Sequence, residues 1–256
     1  MTMLEKFSLA GKVAIVTGCE QGLGMGMAVG MAQAGADVFG VGIGDMSNVK
    51  AEVEKAGRRF ESVTANLISQ DPEQIETIVS TCVEKFGHVD ILVNNAGIIR
   101  REDTVDFSEK NWDDVININL RTVFFLSQRV AKEFMKQGKG GKIISVASML
   151  SFQGGIRVPS YTASKSAVKG ITMTMANEWA QYGINCNCVA PGYMATANTS
   201  ALRDDEKRSG EILERIPAGR WGTPEDVAGA AVFLASSAAD YINGYTIAVD
   251  GGWLAR

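Results

Sequence analysis

Short runs of apolar, largely β-branched residues alternate along the chain with longer segments in which apolar positions recur every three or four residues. The short runs are Val13–Thr17, Val38–Ile43, Phe60–Thr64, Ile91–Val93, Lys142–Val146, Ile184–Val189 and Thr246–Val249. Several are apolar almost throughout, as strands buried on both faces must be. Helical patterns fill the intervals at 22–34, 72–86, 109–136, 159–181 and 224–235. Strand–helix alternation over the whole length predicts an α/β fold of βαβ units, with a parallel sheet between two helical layers. No linker, repeat or low-complexity tract divides it. The least regular stretch is 195–216, rich in Ala, Thr, Arg, Asp and Glu. After a late strand such an insertion sits above the carboxyl edge of the sheet, where ligands bind. It reads either as a lid or as an exposed helix pair.

The chain has 256 residues, which suits one domain of this kind. At that size roughly 70–75% of the unfolded surface is buried, so no disulfide or metal staple is required. No apolar run approaches the about 18 residues of a membrane span. The net charge is −4 and no basic block stands out, which argues against a nucleic-acid partner. The stretch Met1–Lys12 carries Glu5 and lacks the apolar core of a secretory signal. Four cysteines, Cys19, Cys82, Cys186 and Cys188, follow no framework or metal spacing, so a cytoplasmic protein with reduced thiols is the expectation. With His88 as the single histidine, neither a serine–histidine triad nor a histidine-based metal site is expected.

The first strand runs into Thr17-Gly18-Cys19-Glu20-Gln21-Gly22-Leu23-Gly24. The spacing Gly18-x3-Gly22-x-Gly24 differs from strict G-x-G-x-x-G, but glycines there still permit a tight turn and close approach to a pyrophosphate. The helix that follows points its free N–H groups at the same anion. A dinucleotide fold then wants an acid at the end of the second strand to hold the ribose hydroxyls. Gly42 stands at that point, and Asp45 is the nearest carboxylate in the strand's own sequence. No Arg or Lys is present there to hold a 2′-phosphate. The cofactor expected is therefore NAD(H). Cys19 lies within the turn, so its oxidation is expected to impair cofactor binding.

Ser148 closes the fifth strand, and Tyr161 follows thirteen residues later near a helix start, with Pro159 suited to the first turn. Lys165 is one turn beyond Tyr161, on the same face. A phenol with a pKa of about 10 is a poor base at neutral pH, and a nearby ammonium is expected to lower that value. Tyr161 then exchanges a proton with a carbonyl or alcohol oxygen that Ser148 holds. Asn119, on the face of Val115 and Val123, needs buried partners. It reads either as the anchor of a water linking Lys165 to solvent or as a core amide bonding stray carbonyls.

Together these elements resemble the short-chain dehydrogenase/reductase family. The matching pieces are Thr17-Gly18-x3-Gly22-x-Gly24, Asn94-Asn95-Ala96-Gly97, Asn119, Ser148, Tyr161-x3-Lys165 and Pro191-Gly192-x3-Thr196, spread over Lys12–Gly252. A named tetrapeptide occurs by chance about once per 10⁵ positions at average usage. The resemblance implies one Rossmann-type domain with a doubly wound sheet of seven parallel strands. It implies a catalytic set of Asn119, Ser148, Tyr161 and Lys165. It places the cofactor on Gly18, Gln21, Gly22, Leu23, Gly24, Asn66, Leu67, Asn94, Ala96, Gly97, Pro191, Gly192, Met194 and Thr196, besides Asp45, Tyr161 and Lys165. Gly42 departs from the usual acid, and Asn66 stands where an Asp commonly faces the adenine. Family members are mostly tetramers that pair the helices at 109–136 and 159–181, so a homotetramer is expected.

The residues around the catalytic set resemble the family members that act on deoxy sugar acids of uronate and pectin breakdown. Such a substrate needs a cation for its carboxylate and hydrogen-bond donors for its hydroxyls. Arg100, Arg101 and Arg157 leave elements on the carboxyl edge of the sheet. Gln153 lies between Ser148 and Tyr161, and Tyr193 follows the sixth strand. Each arginine reads either as the carboxylate clamp or as a surface ion pair. Trp253 and Arg256 are placed to reach a neighbouring subunit's cleft. Two other readings share the motif set: a 3-oxoacyl carrier-protein reductase, which would need NADPH and a basic face, and a non-catalytic NAD(H) sensor, which would have lost Tyr161 or Lys165.

Overall fold

The computed structural model describes residues 2–256. Its sheet has seven parallel strands in the order β3-β2-β1-β4-β5-β6-β7. They are β1 (Val13–Thr17), β2 (Asp37–Gly42), β3 (Phe60–Thr64), β4 (Ile91–Asn94), β5 (Gly141–Val146), β6 (Ile184–Pro191) and β7 (Thr246–Val249). The period-2 alternation divides each central strand between two cores. Ala14 and Val16 face one with Val38, Ile91, Val93, Ile144 and Val146. Val13 and Ile15 face the other with Phe39, Val41, Leu92 and Ile143.

Helices α1 (Gly22–Gln33), α2 (Ser47–Lys55) and α9 (Pro224–Ala235) cover the first face, through Met27, Met31, Val49, Val53, Val227 and Leu234. On the second lie α3 (Pro72–Phe86), α5 (Thr122–Gln137) and α6 (Pro159–Trp179), through Ile78, Val79, Leu126, Val130, Phe134 and Met175. Their ends follow from local chemistry. Asp71 caps α3 by accepting from the Glu73 N–H, Pro72 opens the helix, and Gly87 at φ 86° ends it. Thr223 and Asp226 form a capping box at α9.

Three departures from the sequence reading bear on the site. Helix α2 was not anticipated, because its nine residues carry few apolar positions and only Val49 and Val53 are buried. The pattern at 109–136 is not one helix. It divides into α4 (Glu109–Ile116), a π-helical turn at Asn117–Arg121 and α5. Such turns re-aim a side chain within an otherwise regular helix. The insertion at 195–216 is largely helical, with α7 (Ser200–Arg203) and α8 (Glu206–Arg215). Among the described residues no helix is long and apolar enough to cross a membrane.

Candidate active site

Strands β1 and β4 are neighbours, and the chain winds away from them in opposite directions. The carboxyl ends of such a pair leave a crevice between diverging loops. Here that crevice is a cavity of about 500 Å³, running from Gly42, Ala65 and Asn66 past Gly18–Gly24 to Tyr161 and Lys165.

The glycine turn is tied to the β4 loop from below. Thr17 Oγ1 accepts from the Asn95 and Ala96 N–H groups, each at 3.0 Å. Asn95 Nδ2 donates to the carbonyls of Thr17 and Gly18, each at 2.9 Å. Gly18 and Gly22 hold φ of +63° and +55°, which glycine adopts at no steric cost. A methyl on Gly24 would collide with the Gly18 carbonyl and Asn95 Nδ2. Gly24→Ala is therefore expected to cost about 1–3 kcal/mol, a Tm fall of roughly 2–10 °C at this size, together with weaker cofactor binding. Differential scanning fluorimetry checks it, and a Tm equal to wild type would contradict the crowding.

At the other end stand the residues of the catalytic pattern. Lys165 is buried at 4% exposure and donates to the Val146 carbonyl at 2.5 Å. Burial pulls its pKa down from 10.5 to about 8. Its Nζ lies 5.7 Å from the centroid of the Tyr161 ring. Tyr161 is half-buried on the cleft wall. Desolvation raises its pKa above 10, while the Ser148 hydroxyl and the positive charge of Arg101 pull the other way. Lys165 stands behind the ring as the spacing implied, and Arg101, which was expected only as a carboxylate clamp, adds a second positive charge near the phenol. Ser148 Oγ also accepts from the Leu150 N–H at 3.1 Å, which fixes the turn after β5.

Asn119 sits in the π turn, fully buried. Its Oδ1 accepts from the Ile98 N–H at 2.9 Å, and its Nδ2 donates to the Ile98 carbonyl and Ser164 Oγ at 3.0 and 3.2 Å. Both amide hydrogens are committed, so the side chain fastens the β4 loop to α6 and has no donor left for a water beside Lys165.

The remaining sequence-predicted residues divide. Gln21, Gly22, Leu23, Gly24, Asn66, Leu67, Ala96, Gly97 and Thr196 line the cleft. Asn94 does not: its Nδ2 donates to Ser127 and Ser145 beneath the sheet edge. Pro191, Gly192 and Met194 do not line it, and Met194 and Tyr193 border a second cavity of about 300 Å³. Tyr193 stacks edge-on against Trp221 and Trp253 at 5.6 and 4.8 Å. Asp45 is also outside the cleft. Its carboxylate accepts from the Ser47 N–H and hydroxyl at 2.9 and 2.7 Å, fixing the start of α2. Glu20 was not singled out, yet it lines the cleft beside Gly42.

The three arginines part ways as well. Arg157 pairs with Asp103 at 2.7 Å and, like Gln153, does not line the cleft. Arg100 lines it but lies 3.8 Å from Asp114. Arg101 lines it and makes no ion pair among the described residues. Trp253 is buried within its own chain against Met149, Ile212 and Ile216, and Arg256 donates to the carbonyls of Glu214 and Arg215. Neither is free to reach a neighbour's cleft. Cys19 is sealed, and burial with the adjacent Glu20 charge pushes its thiol up to about 12. Oxidation needs an accessible thiolate, so this burial does not favour the sensitivity expected of Cys19.

The cleft suits a dinucleotide. The first-turn N–H groups of α1 have no intrahelical acceptors, and Gln21 provides no side-chain cap. A family model described as enoyl-(acyl carrier protein) reductase, from the short-chain dehydrogenase/reductase class, matches residues 18–254. The chain belongs to the short-chain dehydrogenase/reductase family. It is an oxidoreductase of the nicotinamide-dependent kind. A 2-dehydro-3-deoxy-D-gluconate 5-dehydrogenase of Dickeya dadantii (strain 3937) is 65% identical over 99% of this chain and 100% of its own. The enzyme of that name from Escherichia coli (strain K12) is 64% identical over the same shares. Among solved structures, a gluconate 5-dehydrogenase from Burkholderia cenocepacia J2315 in complex with NADP and tartrate is 35% identical, with a TM-score of 0.94 and both chains fully covered.

Proposed function

We propose that this protein is an NAD(H)-dependent dehydrogenase that interconverts a keto and a hydroxyl group on a deoxy sugar acid. Its substrate pair is 2-dehydro-3-deoxy-D-gluconate and the corresponding 2,5-dioxo acid, in cytoplasmic breakdown of uronate polysaccharides such as pectin. The names of its full-length relatives support this reading and favour neither a carrier-protein reductase nor a silent sensor. The observation that carries the substrate class is Arg101. It is a cation without an ion pair among the described residues, lining the same cleft as Tyr161 and close enough to act on its phenol. A guanidinium so placed holds a carboxylate by two parallel hydrogen bonds while the far end of a six-carbon chain meets the phenol.

A bound nicotinamide supplies the hydride, or accepts it in the reverse direction. Tyr161 moves the matching proton, giving it to the carbonyl oxygen on reduction and taking it from the hydroxyl on oxidation. Its raised pKa keeps the phenol protonated at neutral pH, the form reduction needs. Ser148 holds the same substrate oxygen. Lys165, with a pKa of about 8, keeps a positive charge behind the Tyr161 ring at pH 7. Asn119 positions the loop bearing Arg101 against α6. NAD(H) is favoured because Arg100, Arg101 and Lys165 are the only basic residues lining the cleft among the described residues, and none comes from the end of β2. Subunit pairing through α5 and α6 belongs to the same reading, with Phe125 and Met173 standing 38% and 45% exposed on those helices. So does the segment 195–216 as a substrate lid, since Thr196 and Thr199 line the cleft at its base.

Arg101→Ala tests the substrate assignment. Losing a charged hydrogen-bond pair is expected to raise KM for the sugar acid about 10- to 100-fold, with kcat little changed. An unchanged KM in steady-state assays would remove Arg101 as the carboxylate holder.

A further inference from the structure

The end of β2 has no acid of its own, and the structure shows what fills the place. Glu20, from the turn after β1, lays its side chain over Gly42 and Gly44. A methyl on Gly42 would collide with Glu20 Oε2, and one on Gly44 would lie 3.3 Å from Glu20 Cγ. The two glycines thus leave the space that the carboxylate occupies. Glu20, Gly42, Ile43 and Asn66 all line this end of the cleft. Oε2 is buried and has no hydrogen-bond partner among the described residues. A buried carboxylate oxygen left unpaired is costly, and its natural complement is a donor from a ligand. Asp45 does not compete for the role, because it lies outside the cleft lining, with its carboxylate turned to the Ser47 N–H and hydroxyl.

We propose that Glu20 is the residue that reads the 2′-position of the adenosine ribose. Its carboxylate stands where a dinucleotide fold otherwise places the strand-2 acid. There it accepts a hydrogen bond from a ribose hydroxyl. It opposes a 2′-phosphate by like charge, with no basic side chain at the β2 end to offset the repulsion. The specificity-determining carboxylate has moved from strand 2 to the glycine turn, and Gly42 and Gly44 are the accommodation for it. This rests on the NAD(H) reading above.

The test is binding rather than turnover. Dissociation constants of NADH and NADPH are measured by fluorescence for wild type, Glu20→Gln and Glu20→Ala, with thermal melts to confirm that each variant is folded. Glutamine keeps the shape and removes the charge. Alanine removes both. Wild type is expected to bind NADH at least tenfold tighter than NADPH. Both variants are expected to narrow that ratio about tenfold or more, the size of one charged hydrogen bond. A 2′-deoxyadenosine analogue of NADH should bind wild type more weakly than NADH and Glu20→Ala equally well. If wild type prefers NADH and neither variant changes the ratio, Glu20 is not the reader and the NAD(H) assignment stands. If wild type binds NADPH as tightly as NADH, the NAD(H) assignment itself fails, and this proposal fails with it.

Discussion

Tyr161→Phe is expected to lower kcat by about 10³-fold, within the range of a lost general acid–base group, while cofactor affinity changes less than about twofold. The substitution removes one hydroxyl and leaves the ring that packs on the cleft wall, so binding and proton transfer separate cleanly. Direction also matters. Desolvation holds the phenol above its ordinary pKa, with Ser148 and Arg101 working against that rise. The protonated phenol serves reduction and the phenolate serves oxidation. In wild type, kcat/KM for reduction should therefore stay level through neutral pH and fall only on the alkaline side, while the oxidation rate climbs with pH. Both trends should vanish in the phenylalanine variant. Turnover in Tyr161→Phe within about tenfold of wild type would remove Tyr161 from the chemistry.

Lys165→Met is expected to abolish turnover and, at pH 7, to stabilise the protein. Burial lowers the Lys165 pKa from 10.5 to about 8. At 1.36 kcal/mol per unit, the buried charge costs roughly 3 kcal/mol at neutral pH. Methionine fills the volume without the charge, but it strands the Val146 carbonyl that Lys165 now satisfies, a loss of about 1–3 kcal/mol. The net gain is of order 1 kcal/mol, or roughly 2–4 °C in Tm. The pH dependence carries the sign. Below pH 8 the folded and unfolded states both hold the proton and the cost is complete. Between 8 and 10.5 the folded state releases it first, so wild-type stability rises with pH. The advantage of the methionine variant should shrink across that window. A variant that melts below wild type at pH 7, or a gap that does not close with pH, would show that the buried ammonium is not strained.

The sequence carried the sheet because parallel strands buried on both faces read as continuous apolar runs, and β1 to β7 differ from those runs only at their ends. Helix α2 escaped because two buried valines in nine residues do not make a period. The π turn escaped because the spacing of Val115, Asn119 and Val123 continues through it, and periodicity does not register one extra residue in a turn. Ser148, Tyr161 and Lys165 are brought together by ordinary strand and helix geometry, which spacing does encode. The arginines could not be sorted from sequence, since Arg157 and Arg100 find Asp103 and Asp114 only through loop paths. Glu20 was hidden for a different reason. Its importance lies in the side chains that Gly42 and Gly44 lack, and an empty volume leaves no motif.

The most direct test is the initial rate of the purified enzyme with 2-dehydro-3-deoxy-D-gluconate, comparing NAD⁺ with NADP⁺ at equal concentration. Rapid reduction of NAD⁺ is expected, with a much slower rate for NADP⁺ and neither in Tyr161→Phe. No turnover of the sugar acid with either cofactor, alongside reduction of an acetoacetyl thioester by NADPH, would contradict it.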